Sequence, residues 1–190
     1  MDFKTEMAER TAQIEQIIKK YLPKEEGYQK TIMEAMNYSV LAGGKRLRPM
    51  LMQETYRLFG GRSEVIEPFM AAIEMIHTSS LVHDDLPAMD TDEYRRGKKT
   101  THAVYGEAMG ILAGDALLNY AYETAARAFA MEPGNPGVCQ AFQILTAKAG
   151  IYGMVGGQTV DVESEGKPGM PKEKLDLIYR LKTRAQIEGA

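Results

Sequence analysis

Residues 71–90 read AAIEMIHTSSLVHDDLPAMD, an apolar run that ends in a group of carboxylates. Its first part belongs to a longer segment, 64–86, that is apolar over much of its circumference and therefore predicts a helix buried on several sides. That helix should break at Pro87, because proline has no amide N–H to donate. The polar, charged residues 88–99 that follow are expected to form a loop.

Helical signals continue on both sides of this segment. Apolar residues recur at helical spacing, and prolines or paired glycines stand near the segment boundaries. Gly156–Gly157 should interrupt or loosen a helix, and 164–171 should be a loop. Alternation with a period of two is hard to find, so we predict an all-α fold in a single domain, 1–190. The further predicted helices are 2–20, 28–41, 49–59, 107–131, 138–155 and 171–182.

Composition narrows the classes of function. Lys and Arg total 23 and Asp and Glu total 26, giving a formal net charge of −3, which disfavours non-specific nucleic-acid binding. No run of eighteen apolar residues occurs, so no membrane span is expected. The charged N-terminus lacks the apolar core of a signal peptide. A single cysteine, Cys139, excludes an internal disulfide framework, and we expect a cytoplasmic protein.

Carboxylates and arginines cluster directly after the apolar helix. Asp84 and Asp85 are adjacent, Asp90 follows, and Arg95–Arg96 come next. Carboxylates in this number suit Mg²⁺ shared with substrate phosphates, and arginine forks suit phosphate oxygens, so the cluster indicates a diphosphate site. On a regular helix Asp84 and Asp90 would lie about 240° apart, so the chain must distort near Pro87 if both face one site. The alternative is a solvated helix end with surface acids.

A second cluster, Gly43-Gly44-Lys45-Arg46-Leu47-Arg48-Pro49, places three cations directly after two glycines. Glycines let backbone N–H groups approach an anion, and the cations add charge. The cluster is not a nucleotide P-loop, since position 39 is serine and an arginine follows Lys45. Taken alone it is a weak signal, because a basic helix start is often only a solvated surface.

Taken together, these motifs make the sequence similar to the trans-isoprenyl diphosphate synthases, the polyprenyl synthetase family of farnesyl and geranylgeranyl diphosphate synthases. The resemblance runs from about Tyr28 to Thr183 and implies a homodimeric isoprenoid-synthase helical bundle. The matching elements are Gly43–Pro49 (GGKRxRP), Asp84–Asp90 (a spaced first aspartate-rich motif), Gly106–Ala108 with Leu112–Asp115, Gly156–Asp161 (GGQxxD) and Lys182–Thr183 (KT).

The resemblance implies a chemistry and a set of site residues. Isopentenyl diphosphate would condense with dimethylallyl or geranyl diphosphate to farnesyl or geranylgeranyl diphosphate by Mg²⁺-assisted ionisation, condensation and elimination. The implied metal ligands are Asp84, Asp85 and Asp90. The implied contacts to the allylic substrate are Arg95, Lys182 and Thr183, with Gln158 near the reacting centre, and these seven residues form the implied catalytic set. The implied binding residues for isopentenyl diphosphate are Gly44, Lys45, Arg48, His77 and Arg96.

The sequence also departs from the family pattern. The family carries a second aspartate-rich motif on a later helix, and none occurs here. Arg184 and Gln186 stand where the family usually has glycine and an apolar residue. We therefore expect the N-terminal two-thirds of a synthase domain, incomplete at its C-terminal end and with little activity alone. The alternatives are an inactive family member acting as a helical binding or partner subunit, and a terpene cyclase, which would not need the Gly43–Pro49 element.

Product length has a sequence signal as well. In the family, the growing tail runs alongside the helix that ends in the first aspartates, and the fifth residue before them often sets the tunnel floor. Here that residue is Ser79, followed by Ser80. Two small side chains leave room for a tail, so we expect extension past farnesyl towards geranylgeranyl. His83 is expected to be a structural or surface residue rather than a ligand.

Overall fold

The computed structural model describes residues 2–167 and 169–190, apart from the side chains of Thr183 and Gln186. Across this described part of the chain the architecture is helical, which confirms the predicted all-α class. A short 3-10 helix, Glu64–Ile66, leads into α4, and a π-helical turn, Tyr179–Arg184, separates α9 from α10. The α-helices are α1 (Phe3–Tyr21), α2 (Lys30–Val40), α3 (Leu47–Leu58), α4 (Glu67–Asp84), α5 (Thr101–Tyr105), α6 (Glu107–Met131), α7 (Pro136–Ala149), α8 (Met154–Val162), α9 (Lys172–Ile178) and α10 (Ala185–Glu188).

The core of the fold is the packing of α4 against α6. Most residues of α4 are buried, from Pro68 to Val82, as expected of a helix that is apolar nearly all round. Its partner α6 presents a stripe of buried, mainly small side chains that repeats at helical spacing and lets the two backbones approach closely. That stripe consists of Ala113, Leu117, Ala121, Ala125 and Ala128.

The segment Glu64–Asp84, which contains α4, is long and apolar enough by composition to cross a membrane. However, 72% of its most apolar window is buried inside the protein, which is typical of a core helix. Helices α1, α2, α3 and α6 all contact α4. The packing therefore supports the prediction that this segment is the centre of the bundle.

The predicted loop 88–99 contains an antiparallel hairpin that the sequence analysis missed. Strand β1 (Tyr94–Arg95) pairs with β2 (Lys98–Lys99). The two-residue turn between them has positive φ at Arg96 (53°) and Gly97 (78°), the backbone of a type I′ hairpin turn. Two-residue strands have no room for an alternating pattern, which is why periodicity did not reveal them.

Three predictions in the C-terminal third need correction. Helix α7 ends at Ala149 rather than continuing to 155. Gly156–Gly157 do not interrupt a helix but lie inside α8. The last predicted helix, 171–182, consists of α9 followed by the π-helical turn. Glycine suggested a break to sequence reasoning, whereas in α8 it permits a close backbone contact that is described below.

Candidate active site

The cations of the loop between α2 and α3 meet residues from α4 and the hairpin in one basic pocket. Its volume is about 410 Å³. The pocket brings together all five residues that the resemblance assigned to isopentenyl diphosphate, although they come from three separate parts of the chain. Its lining residues are Gly44, Lys45, Arg46, Leu47, Arg48, Glu74, His77 and Arg96.

Arg46 is the anchor of this pocket. Its side chain is 2% exposed and donates from Nη1 to Glu74 Oε1 at 2.8 Å, while Glu74 is 4% exposed. Nη2 donates to the Val40 carbonyl at 2.7 Å and lies 3.5 Å from Glu15 Oε1. Breaking such a buried pair leaves an uncompensated charge. The inward turn of Arg46 therefore holds the loop against α4.

Two arginines of the pocket have backbones in the left-handed region, Arg46 at φ 50° and Arg96 at φ 53°. Such conformations cost non-glycine residues about 1 kcal/mol or more. Arg96 Nη1 donates to the Gly43 carbonyl. Gly44 has φ 149°, a backbone conformation that side-chain-bearing residues rarely adopt, and its lack of a Cβ leaves space for the Arg96 guanidinium. The left-handed backbones of Arg46 and Arg96 and the glycine at position 44 together allow the cations of the loop and of the hairpin to lie in one pocket.

The charge state of the pocket matches an anion ligand. Burial, followed by the positive charges of Arg48 and Arg96, lowers the pKa of His77 to about 3, so its imidazole is neutral. Burial also lowers the pKa of Arg48. The negative charge of Glu74 raises this pKa, and the positive charge of Arg96 lowers it. Arg48 Nε is buried and makes no hydrogen bond in the described structure. Crowded, partly unpaired cations of this kind would be stabilised by a bound diphosphate.

The first aspartates lie at the end of α4, and the chain folds back after them. The backbone N–H of Asp90 donates to the Asp84 carbonyl at 2.9 Å, and that of Asp92 donates to the Asp85 carbonyl at 3.2 Å. Helix α4 itself ends at Asp84, before Pro87. The predicted distortion near this proline is confirmed, and it returns Asp90 to the same end of the helix as Asp84.

Asp84 faces a cavity of about 580 Å³ that is largely apolar. Burial raises the pKa of Asp84; the charge of Lys182 lowers it, and that of Asp90 raises it again. We call this space the acidic cavity. It is lined by Ser80, His83, Asp84, Leu86, Ala88, Met89, Met154, Val155, Gln158, Thr159, Val162, Glu163 and Lys182.

Asp85 faces another way. It is buried, its Oδ1 accepts a hydrogen bond from Arg95 Nε at 2.7 Å, and the same oxygen lies 2.6 Å from Arg95 Nη2 in the ion pair. Burial raises the pKa of the Asp85 carboxyl, and the hydrogen bond to Arg95 offsets part of that rise. The pair borders a separate small cavity of about 40 Å³ between α2, α4 and the hairpin. The structure therefore does not gather Asp84, Asp85 and Asp90 around one point.

The magnesium prediction can be tested against this geometry. In the described residues, 2–167 and 169–190, no group of three His, Cys, Asp or Glu side chains is arranged to hold a metal ion. A complete cage is not required, because Mg²⁺ usually keeps several waters and binds through one or two carboxylates plus substrate phosphates. The neighbouring carboxylates Asp84 and Asp90 fit that mode, while Asp85 is already paired with Arg95.

The cavity wall bears on two expectations about α4. Ser80, not Ser79, lines the acidic cavity. Ser79 is 2% exposed, and its hydroxyl donates to the Ile76 carbonyl at 2.8 Å. His83 also lines the cavity; its side chain is 35% exposed and its Nε2 lies 3.2 Å from the Ile111 carbonyl oxygen, which agrees with the expected structural or surface role. The side chain of Thr183 lies outside the described residues.

Comparison with known proteins places this geometry in a family. The polyprenyl synthetase family matches residues 29–190. The chain belongs to that family. This confirms the resemblance seen in the motifs. As a polyprenyl synthetase family member, it carries both family elements that line pockets here, the basic loop and the first aspartates.

Individual relatives agree with this family. A geranylgeranyl diphosphate synthase of Cyanophora paradoxa is 45% identical over 98% of this chain and 61% of the relative. A farnesyl diphosphate synthase of Escherichia coli (strain K12) is 40% identical over 100% of this chain and 63% of the relative. A crystal structure of an FPP/GFPP synthase from Zymomonas mobilis superposes with a TM-score of 0.89 at 35% identity, covering 98% of this chain and 68% of that one. This family member thus spans about three-fifths of the length of these curated relatives.

Sequence reasoning missed three residues that the structure places at the site. Glu74 lies one helical turn before His77 on α4, so its position in the apolar helix was an available signal. Arg46 was read only as one of three cations, without its inward direction. Asp161 belongs to the GGQxxD element, and it accepts a hydrogen bond from Lys182 at 2.7 Å.

Proposed function

We propose that this protein is a short-chain prenyltransferase that condenses isopentenyl diphosphate with an allylic diphosphate. The observation that supports this most strongly is the arrangement of two pockets along α4. His77 of the basic pocket and Asp84 of the acidic cavity are seven residues apart, which places them on the same helix face about 10 Å apart. Two diphosphates held at those points would bring their prenyl groups side by side.

In this proposal the basic pocket binds isopentenyl diphosphate. Lys45, Arg48 and Arg96 supply fixed positive charge, and the neutral imidazole of His77 can donate one hydrogen bond. The backbone of Gly44 allows the anion to approach closely. Because this pocket contains no apolar space of its own comparable to the acidic cavity, it suits the diphosphate end of the substrate rather than its hydrocarbon.

The acidic cavity would bind the allylic substrate. Its apolar wall suits a prenyl tail, and Lys182 and Asp84 stand at its polar end. Asp84 and Asp90 would hold Mg²⁺, which when bound supplies positive charge that stabilises the departing diphosphate. Arg95 adds a guanidinium at this end of α4, and we assign Asp85 to holding Arg95 rather than to the metal. Gln158 lines the same cavity, and we assign it to the region of the reacting carbons.

The bond changes need no protein nucleophile. The allylic C–O bond breaks and its electron pair leaves with the diphosphate. The alkene of isopentenyl diphosphate attacks the resulting allylic carbocation, forming the new C–C bond, and a proton is then lost to the departing diphosphate. Lys182 and Arg95 stabilise the leaving anion, and the apolar side chains of the wall limit the access of water to the carbocation.

The product is proposed to be farnesyl or geranylgeranyl diphosphate. Ser80 is the small residue of α4 that borders the cavity, so it leaves room for the tail at the place where a large side chain would close it. The alternative function is a binding or partner subunit with little activity, which would bind the substrates without converting them.

The experiment that decides between these functions measures binding and turnover separately. Isothermal titration calorimetry with dimethylallyl diphosphate, with and without Mg²⁺, and with isopentenyl diphosphate tests the two sites. Incubation with both substrates, one radiolabelled, then tests turnover. Separate binding of both ligands with product formation supports the transferase, and binding without product supports the subunit. Binding of neither ligand would refute the proposal.

A further inference from the structure

Lys182 reaches the acidic cavity from an unusual backbone. It lies in the π-helical turn Tyr179–Arg184, and π-helical turns within helices are frequent at functional sites. Helix α8 packs directly against this turn at Gly157. A Cβ at Gly157 would lie 2.4 Å from the Lys182 backbone nitrogen and 2.9 Å from the Leu181 carbonyl carbon. The glycine therefore sets how closely Lys182 approaches α8.

Asp161 receives the Lys182 side chain on the same helix. Asp161 lies one turn after Gly157 on α8, so it shares the face that contacts the π-helical turn. Lys182 Nζ donates to Asp161 Oδ2 at 2.7 Å. Gln158, between these two residues, lines the acidic cavity together with Lys182. The backbone contact and the ion pair thus place the ammonium group at the edge of the cavity.

A second carboxylate competes for the same cation. Burial lowers the pKa of Lys182, but its hydrogen bond to Asp161 and the charge of Asp84 raise it more. Lys182 has several rotatable bonds and a compact charge that pairs readily with any nearby carboxylate. Without Asp161, the carboxylate that attracts Lys182 most strongly is Asp84, which lines the same cavity and is the proposed ligand of Mg²⁺.

We propose that Asp161 is a positioning residue that holds Lys182 at the edge of the acidic cavity and keeps it off Asp84. The inference rests on the proposed function, because it assumes that Lys182 contacts the allylic diphosphate and that Asp84 binds Mg²⁺. Stability does not account for the pair. The side chains of Lys182 and Asp161 are 31% and 38% exposed, and ion pairs exposed to that degree contribute little to folding.

The proposal predicts a selective binding defect. In Asp161→Asn the affinity for dimethylallyl diphosphate, measured by calorimetry in Mg²⁺, should fall about tenfold, the size of one charge-assisted hydrogen bond. The Mg²⁺ concentration needed for half-maximal binding should rise, because Lys182 then competes for Asp84. Affinity for isopentenyl diphosphate, bound in the basic pocket, should change by less than twofold. Asp161→Glu, which restores the charge, should recover part of the loss.

A double-mutant cycle shows whether Asp161 acts through Lys182. In a Lys182→Gln background, Asp161→Asn should have no further effect on allylic binding. The matched control is Asp176→Asn, which removes an exposed carboxylate on neighbouring α9 and should leave both affinities unchanged. Wild-type binding by Asp161→Asn, or equal weakening of both ligands, would overturn this inference alone. Absence of allylic binding in the wild type would overturn the proposed function and this inference with it.

Discussion

The basic pocket and the acidic cavity lie along the same helix but are held in place differently. Under the basic pocket, Arg46 and Glu74 form an ion pair with side chains 2% and 4% exposed. At the acidic cavity, the side chains of the Lys182–Asp161 pair are 31% and 38% exposed. The neighbouring Arg95–Asp85 pair, at the separate small cavity, joins a partly exposed arginine to a buried aspartate. The basic pocket therefore rests on a fully buried ion pair, whereas the acidic cavity is bordered by an ion pair that water can reach.

This difference has a physical meaning for ligand binding. A buried pair has lost its water and is expensive to separate, so the basic pocket is a preformed anion site. The Lys182–Asp161 pair is partly exposed and costs less to separate, so Lys182 can exchange Asp161 for a diphosphate at the same edge of the cavity. The comparison predicts that mutations under the basic pocket unfold the protein, whereas mutations at the acidic cavity change binding at nearly constant stability.

The largest expected effect tests the buried Arg46–Glu74 ion pair. Glu74→Gln removes the buried partner of Arg46 and leaves only the more distant, partly exposed Glu15, so the free energy of unfolding should fall by about 3 kcal/mol. The measurement is urea denaturation followed by circular dichroism. Glu54→Gln is the matched control, because Glu54 is 41% exposed in its ion pair with Arg10 and should lose less than about 1 kcal/mol. Equal losses of unfolding free energy in the two variants would show that the buried Arg46–Glu74 pair is no stronger than a surface ion pair.

The next effect tests the acidic cavity. Asp84→Asn keeps the shape of the side chain but removes the charge proposed to hold Mg²⁺. Mg²⁺-dependent affinity for dimethylallyl diphosphate, or turnover where it is detectable, should fall by about 10²–10³. The folded state should be retained, because the burial that raises the pKa of Asp84 penalises its charged form. Unchanged Mg²⁺ dependence would remove Asp84 from the metal site.

A smaller change separates the two substrates. Lys45→Ala removes an exposed cation of the basic pocket, so the affinity for isopentenyl diphosphate should fall about tenfold. Affinity for dimethylallyl diphosphate should stay within a factor of two. Calorimetric titration with each ligand is the check. If Lys45→Ala and Asp84→Asn both weakened the same ligand only, the assignment of two separate sites would be wrong.

The pH dependence of stability tests the cationic surroundings of His77. Its pKa of about 3 in the folded protein lies below the ordinary value of about 6.5 in an unfolded chain. The unfolded state therefore binds the extra proton first, and the stabilisation is present above pH 6.5 and lost as the pH falls towards 3. At pH 5 the loss from this group is up to about 2 kcal/mol.

The measurement for this prediction is chemical denaturation at pH 7.5 and pH 5. His77→Gln keeps a neutral polar side chain, so it should lose less stability than the wild type between these two values. Other carboxylates titrate in the same range in both proteins, and the difference between them isolates His77. The same pH dependence in both proteins would contradict the lowered pKa.

The smallest expected effect concerns the neighbouring serines of α4. Ser80→Phe should narrow the acidic cavity and shift the product of an active synthase towards shorter chains, as measured by product chromatography. Ser79→Phe instead places a large side chain at a fully buried position, so it should cost about 1–3 kcal/mol of stability. A shift in product length by Ser79→Phe at unchanged stability would restore Ser79 as the residue that bounds the tail.

Much of the fold and the residue chemistry could be predicted from the sequence. Helices α1, α4 and α6 were predicted within a few residues, because apolar spacing, proline and paired glycines are local signals. The hairpin at Tyr94–Lys99 was missed, since strands of two residues carry no period. Gly156–Gly157 were predicted to interrupt a helix but lie within α8. The reason for a glycine at 157 is its close contact with the Lys182 backbone, and local sequence does not reveal a contact between residues so far apart in the chain.

Residue types alone are enough to show which groups are present: cations after a glycine pair, carboxylates at the end of an apolar helix, and the family to which they belong. Folding distributes these groups between separate pockets. Arg46 turns inward to Glu74 while Lys45 and Arg48 face the pocket, and Asp84 and Asp85 open onto different cavities. The physical reason is that residue type sets charge and backbone preference, whereas burial and packing of distant elements set where each side chain points.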